Sequence, residues 1–309
     1  MAFEKFVTQE EEETGAKKKS KDPNKVEIKD EKGRNLEISF GEVLPQTKKM
    51  FLDLGLKKLA DKLPENLDLS SEQLAKIKEI AEQREFYEIF IMPGRIKSSD
   101  LKAIISGTAK IEKKCKEECF NKEKLHGKNL GNSSTFERYW AMDAFDGTSP
   151  DSISDDDFVN IEDNVRPDRP YIVMTDHEPS ISGFSLEEEA EIKNMSLNEY
   201  ERYLDDKGVS GLTLGEFFIW KNLKLREEEK RIDENIEDEG VFADEGKKPF
   251  QNKFLIGSYR KTDHKIPVTR SLLVGRNRFK NEIEFKDFKD LEMQKTLLGP
   301  HKIVAIIPL

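Results

Sequence analysis

The sequence predicts an α+β fold, or an open α/β sheet, built as one body behind a charged tail. Short apolar runs of strand length stand well apart, with FYEIFIM at 86–92, YIVMT at 171–175 and KIVAIIPL at 302–309 the clearest. Amphipathic stretches of helical period lie between them, and the C-terminal half ends on strands. No internal repeat of solenoid length is visible.

Taken in order, residues 1–24 are expected to be a disordered tail, since Glu10–Glu13 is followed by Lys17, Lys18, Lys19 and Lys21 with almost nothing apolar between. Val26, Ile28, Leu36, Ile38 and Phe40 alternate with polar residues around DEKGRN, the pattern of a β-hairpin. From Gln46 to Leu63 the apolar positions Met50, Phe51, Leu54, Leu59 and Leu63 suit a helix that Gly55 weakens. Ser70 or Ser71 caps a second helix with Leu74, Ile77 and Ile80 on one face. The strand at 86–92 stops at Pro93-Gly94, and Ser98 or Ser99 opens a short helix through Ile105.

Charged insertions are expected near 108–134, 143–169 and 227–249, with residues 110–134 as a helix of modest apolarity running into a loop. The middle one is dense in acid, with Asp143, Asp146, Asp151, Asp155, Asp156, Asp157, Glu162 and Asp163 ahead of the first base, Arg166. Helices are expected around 196–206 and 213–230, the second capped by Thr213, and strands at 253–259, 266–274, 283–285 and 302–309. Phe90, Ile172, Phe217, Leu255 and Ile306 are the expected core.

Composition narrows the class. Hydrophobic residues make up 36% and charged residues 37%, a polar balance that fits a folded body with solvated segments, while 19 Phe supply aromatic mass for a core. No apolar run approaches the roughly 20 residues needed to cross a bilayer, and MAFEKFVTQEEEETG lacks the form of a signal peptide, so no membrane association and a cytoplasmic location are expected. The net charge of −10 disfavours nonspecific contact with nucleic acid and leaves room for a local basic site.

Five segments in order resemble a bacterial family of domains of unknown function. TKKMFLDLGLKKLADKL at 47–63 is similar to its opening helix, and FYEIFIMPG at 86–94 and PYIVMTD at 170–176 to its first two buried strands. GLTLGEFFIW at 211–220 and FLIGSYRKTDHKIPVTRSL at 254–272 resemble its helix and following polar-tipped hairpin. The likeness covers roughly residues 45–280, with 108–134 and 227–249 as departures. It implies a fold and brings no activity, because these motifs are structural.

Several residues invite chemistry. Cys115 and Cys119 share a helix face at i and i+4 with His126 following, but a zinc site needs more ligands, and no metal site is assigned. In MDAFDGTSPD, Asp143 and Asp146 are three apart, whereas the phosphatase loop it resembles sets its two Asp two apart, and the spacing also departs from a Ca²⁺ loop. A solvated acidic loop is the plainer reading. Thr-Asp-His occurs at 175–177 and 262–264; the first ends an expected central strand, making Asp176 and His177 the catalytic candidates, with His264 behind them. Arg260, Lys261, Lys265, Arg270, Arg276, Arg278 and Lys280 form a basic segment interrupted by a single acid, Asp263, with Arg270, Arg276 and Arg278 the anion-binding candidates. Balance of the acidic segment 143–163 is the competing explanation.

No complete catalytic constellation appears. The leading expectation is a non-catalytic binding or interaction protein with another protein as partner. A metal-dependent or Asp/His-assisted hydrolase of a phosphate-containing substrate is the alternative, and RNA binding through the basic hairpin comes third. The sequence assigns no cofactor.

Overall fold

The structure, a computed structural model, describes residues 25–29, 35–84, 86–125, 142–143, 161–163, 165–175, 195, 197–233, 253–255, 257–273, 279–286 and 303–309. The expected tail at 1–24 lies outside them.

The chain opens with the expected hairpin, β1 (Lys25–Lys29) against β2 (Asn35–Ser39), antiparallel with Val26 opposite Ile38. Alternation sends Val26, Ile28, Ile38 and Phe40 into the core. Helix α1 (Val43–Asp53) accommodates Pro45 in its first turn, where a missing N–H costs nothing. It stops at Gly55, whose φ of +73° suits glycine, and the Gly55 and Leu56 amides bond back to the carbonyls of Leu52 and Phe51. The single helix expected over 46–63 is therefore two, with α2 (Lys57–Ala60) resuming after the turn.

Ser70 caps α3 (Ser71–Arg84) through a reciprocal pair. The Gln73 amide donates to Ser70 Oγ at 3.2 Å, and the Ser70 amide donates to Gln73 Oε1 at 2.8 Å. Strand β3 (Glu88–Met92) and helix α4 (Ser98–Leu125) follow. Two short strands, β4 (Met142–Asp143) and β5 (Ile161–Asp163), precede β6 (Tyr171–Thr175). Next come α5 (Leu197–Asp206), β7 (Ser210–Gly211) and α6 (Leu214–Asp233). The chain closes with β8 (Lys253–Phe254), β9 (Ser258–Arg260), β10 (Ile266–Leu273), β11 (Phe279–Lys286) and β12 (Ile303–Pro308).

Two sheets of four strands dominate. The central one runs β3-β6-β12-β7, antiparallel throughout, with Phe90 opposite Val173 and Val173 opposite Ile306. Every residue of β3 and β6 is buried, which is why 89–92 and 171–174 read as unbroken apolar runs. Helix α1 lies against β3 and α6, α3 against β1 and β12, and α4 along α6. The second sheet, β4-β11-β10-β8, is antiparallel except for the parallel β4–β11 pair. This is an α+β arrangement, and one apolar cluster joins the first hairpin, the helices and the central sheet. Of the expected core residues, Phe90, Ile172, Phe217 and Leu255 are buried, while Ile306 is only partly covered.

The charged insertions differ most from expectation. The short helix expected through Ile105 and the helix expected from 110 are one, α4, with Thr108 and Ala109 buried at the join and Thr108 bonded to α6. The segment 143–169 contains two paired strands and a buried Arg166, and α6 extends through 227–233. The expected strand at 253–259 is broken in two, with β8 pairing β10 and β9 pairing β5.

Gly257 lies at that break. A Cβ there would stand 2.1 Å from the Gly211 carbonyl oxygen, a backbone atom with no rotamer to yield. Gly257→Ala is therefore expected to cost about 1–3 kcal/mol in urea unfolding; an unchanged midpoint would mean that the close approach is not held in solution.

Candidate functional site

Among the described residues, the densest set of buried charge lies at the start of α6. Thr213 and Glu216 form a reciprocal cap, the Glu216 amide donating to Thr213 Oγ1 at 3.1 Å and the Thr213 amide to Glu216 Oε2 at 2.8 Å. A carboxylate suits a helix N-terminus, where the peptide dipoles leave partial positive charge. Here that carboxylate is wholly buried and meets Arg166 from the loop before β6, with Nε donating to Oε1 at 2.7 Å and Nη2 to Oε2 at 3.2 Å.

Neither partner has capacity to spare. Arg166 also donates from Nη1 to the Val165 carbonyl (3.3 Å) and to Ser210 Oγ (2.9 Å), and from Nη2 to the Gly211 carbonyl, so all five guanidinium N–H groups are used. Glu216 accepts the Tyr171 hydroxyl at 2.9 Å as well, which fills its usual complement of acceptor sites. Burial acts to lower the Arg166 pKa, and the adjacent Glu216 charge more than offsets it, so the guanidinium is held above its ordinary range. Burial, reinforced by Glu216, pushes the Tyr171 hydroxyl well above the usual phenol range.

Asp163 and Ser258 border this cluster from the paired strands β5 and β9. Ser258 Oγ donates to the Asp163 carboxylate and accepts the Leu214 amide at 2.8 Å. Burial raises Asp163 to about 6, the Ser258 bond opposing and the Glu216 charge adding to the rise. Ser258 itself is 1% exposed, which keeps its hydroxyl from reaching a substrate as a nucleophile.

The same helix carries two further polar sets. Lys224 pairs with Glu88 of β3 at 2.7 Å and Glu227 at 3.3 Å, and the Trp220 indole donates to Glu88 at 3.1 Å. Burial lowers and the two carboxylates raise the Lys224 pKa, with a net rise. The cleft beside them, bordered by Gln46, Tyr87 and Leu223, holds about 20 Å³, room for one water and far below a small-molecule pocket. Further along, Asn222 donates to Thr108 Oγ1 at 2.9 Å and accepts from Arg226 at 2.8 Å, and Arg226 pairs with Asp53 of α1.

Of the residues singled out from sequence, Asp176, His177, Arg276 and Arg278 lie outside the described residues. Arg270 is in β10, directly opposite Glu282 of β11. His264 is exposed in the connection between β9 and β10, which belong to different sheets, with φ +55° and its ring stacked on Tyr259 at 5.7 Å. Cys115 and Cys119 fall in α4, and no group of three or more metal-ligating side chains occurs among the described residues. Both ends of the acidic segment are strands paired with the basic one, Asp143 beside Lys280 and Ile161 beside Arg260. The backbone thus brings the two opposite-charge segments together.

Arg166, Tyr171, Glu216, Asp163 and Ser258 were not legible as a cluster. Thr213-x-x-Glu216 carries the signature of a capping box, but nothing in the sequence joins Glu216 to an arginine 50 residues earlier. No protein-family model, curated protein or solved structure matches the chain.

Proposed function

We propose that this chain is a non-catalytic interaction protein whose partner is another protein. The carrying observation is the loop between β5 and β6. Its Arg166 is anchored inside the body by every guanidinium N–H, while the preceding residue, Val165, is held out with 94% of its surface exposed. A large apolar side chain on a fixed loop offers a contact point that needs little ordering on binding. Three residues along the same loop, Asp168 is exposed and pairs with Arg95 at 3.8 Å. The saturation of Arg166 and Glu216 supports the same reading, since groups fully consumed by the fold are not free to activate a substrate.

A photo-cross-linking residue at Val165 tests this in living cells. One discrete adduct is expected, absent when the cross-linker is placed at Lys78 on α3 and lost when Arg166 is also replaced. Turnover of phosphate mono- or diesters with Mg²⁺, Mn²⁺ or Zn²⁺, abolished by Asp176→Asn or His177→Ala, would overturn it in favour of the hydrolase. The opposition of Arg270 to Glu282 and of Lys280 to Asp143 supports charge balance over RNA binding. Labelled single-stranded RNA and duplex DNA are accordingly expected to show no binding that survives near-physiological salt. Tight, salt-resistant binding lost on Arg276→Glu and Arg278→Glu would make the chain an RNA-binding protein.

A further inference from the structure

We propose that Asp163, Ser258 and the Leu214 amide form a proton-controlled latch that fastens the β5–β9 strand pair to the head of α6 when the carboxyl group is protonated. Ser258 is the hinge of the arrangement. Its hydroxyl reaches Asp163 on one side and, on the other, accepts an N–H from the first turn of α6 that has no partner within the helix. Its backbone stands opposite Asp163 in the strand register, and the preceding Gly257 donates its amide to the Leu212 carbonyl at 3.1 Å, beside β7. Three elements therefore meet at one hydroxyl.

Burial of the Asp163 carboxyl sets the direction of the switch, the Ser258 bond opposes it and the surrounding charges modify it. Glu216 faces it from α6 and repels a second carboxylate. Tyr171 on β6 is already committed to Glu216. Arg166 and Arg95 attract the carboxylate, but the Arg166 N–H groups are all directed elsewhere and Arg95 is largely exposed, its guanidinium paired with Asp168. Ionised Asp163 is thus half-buried beside a like charge, with Ser258 as its hydrogen-bond donor. Protonation removes the repulsion and leaves a carbonyl oxygen that still accepts from Ser258.

Because the closed form holds its proton up to about pH 6 and an opened carboxyl only to its ordinary value of 3.8, closure is strongest in acid. It weakens as pH rises from about 4 to about 6 and is weakest above that. Hydrogen exchange read by NMR on the full chain, corrected for intrinsic rates, tests the latch. Protection of the Leu214 and Ser258 amides is expected to fall at least about tenfold between about pH 4.5 and pH 7, and to be flat across that range in Asp163→Asn, which keeps the shape and removes the titration. An identical pH response in wild type and Asp163→Asn would overturn the proposal. So would direct carbon-detected titration of the wild-type Asp163 carboxyl giving an ordinary value near 4, a measurement that does not depend on the variant folding.

Discussion

Replacing Arg166 with methionine is expected to lower the unfolding free energy by about 3–5 kcal/mol in urea titration, among the largest effects of any substitution in the chain. The cause is what the change leaves behind. Glu216 is wholly buried, and without the guanidinium its charge keeps only the Tyr171 hydroxyl and the Thr213 amide. The Ser210 hydroxyl and the Gly211 and Val165 carbonyls lose a donor at the same time. Methionine fills much of the volume and satisfies none of these groups. A loss below about 1 kcal/mol, the size of a surface substitution, would mean that water or a rearranged loop replaces the arginine at little cost.

Phe90→Ala is expected to cost a similar amount, about 3–5 kcal/mol, for a different reason. Its ring is 1% exposed in β3, on a strand buried on every residue and packed beneath α1. Truncation removes the transfer energy of the ring and leaves a cavity that a hydrogen-bonded strand cannot collapse to fill. Unlike the arginine variant, this one leaves no buried charge unpaired, so its cost is expected to be insensitive to salt and to pH near neutrality. A change below about 1 kcal/mol would place the strand at the surface.

The contrast between these two sites explains how much was legible beforehand. Strands β3 and β6 announce themselves because burial on both faces gives short apolar runs, β12 reads as a strand from its apolar run although Ile306 is only partly covered, and Phe90 and Ile172 follow from local pattern alone. Ser70 and Thr213 are readable as caps because their partners lie within one turn. Helix α4 reads as two pieces, one ending at Ile105 and one starting at 110, because its buried Thr108 looks polar until Asn222 of α6 is seen to bond it. The break at Gly257 is hidden because it answers to a carbonyl 46 residues away at Gly211. Arg166 is the extreme case, sitting at the end of an acidic run that reads as solvated and satisfied, apart from its neighbour Val165, by residues from two later segments, β7 and α6. Local periodicity carries apolar burial, whereas the pairing of buried polar groups is set by tertiary contacts that sequence spacing does not encode.

The claim that the buried charges at the head of α6 are spent on the fold is tested most directly by a double-mutant cycle on Arg166 and Glu216, read by urea unfolding of Arg166→Met, Glu216→Gln and the pair together. Each single change strands a buried charge or its donors, whereas the double change removes both charges at once. The double variant is therefore expected to lose less than the sum of the two singles by about 2–3 kcal/mol. Additive losses, agreeing within about 0.5 kcal/mol, would show that the two side chains are not coupled and would contradict the claim.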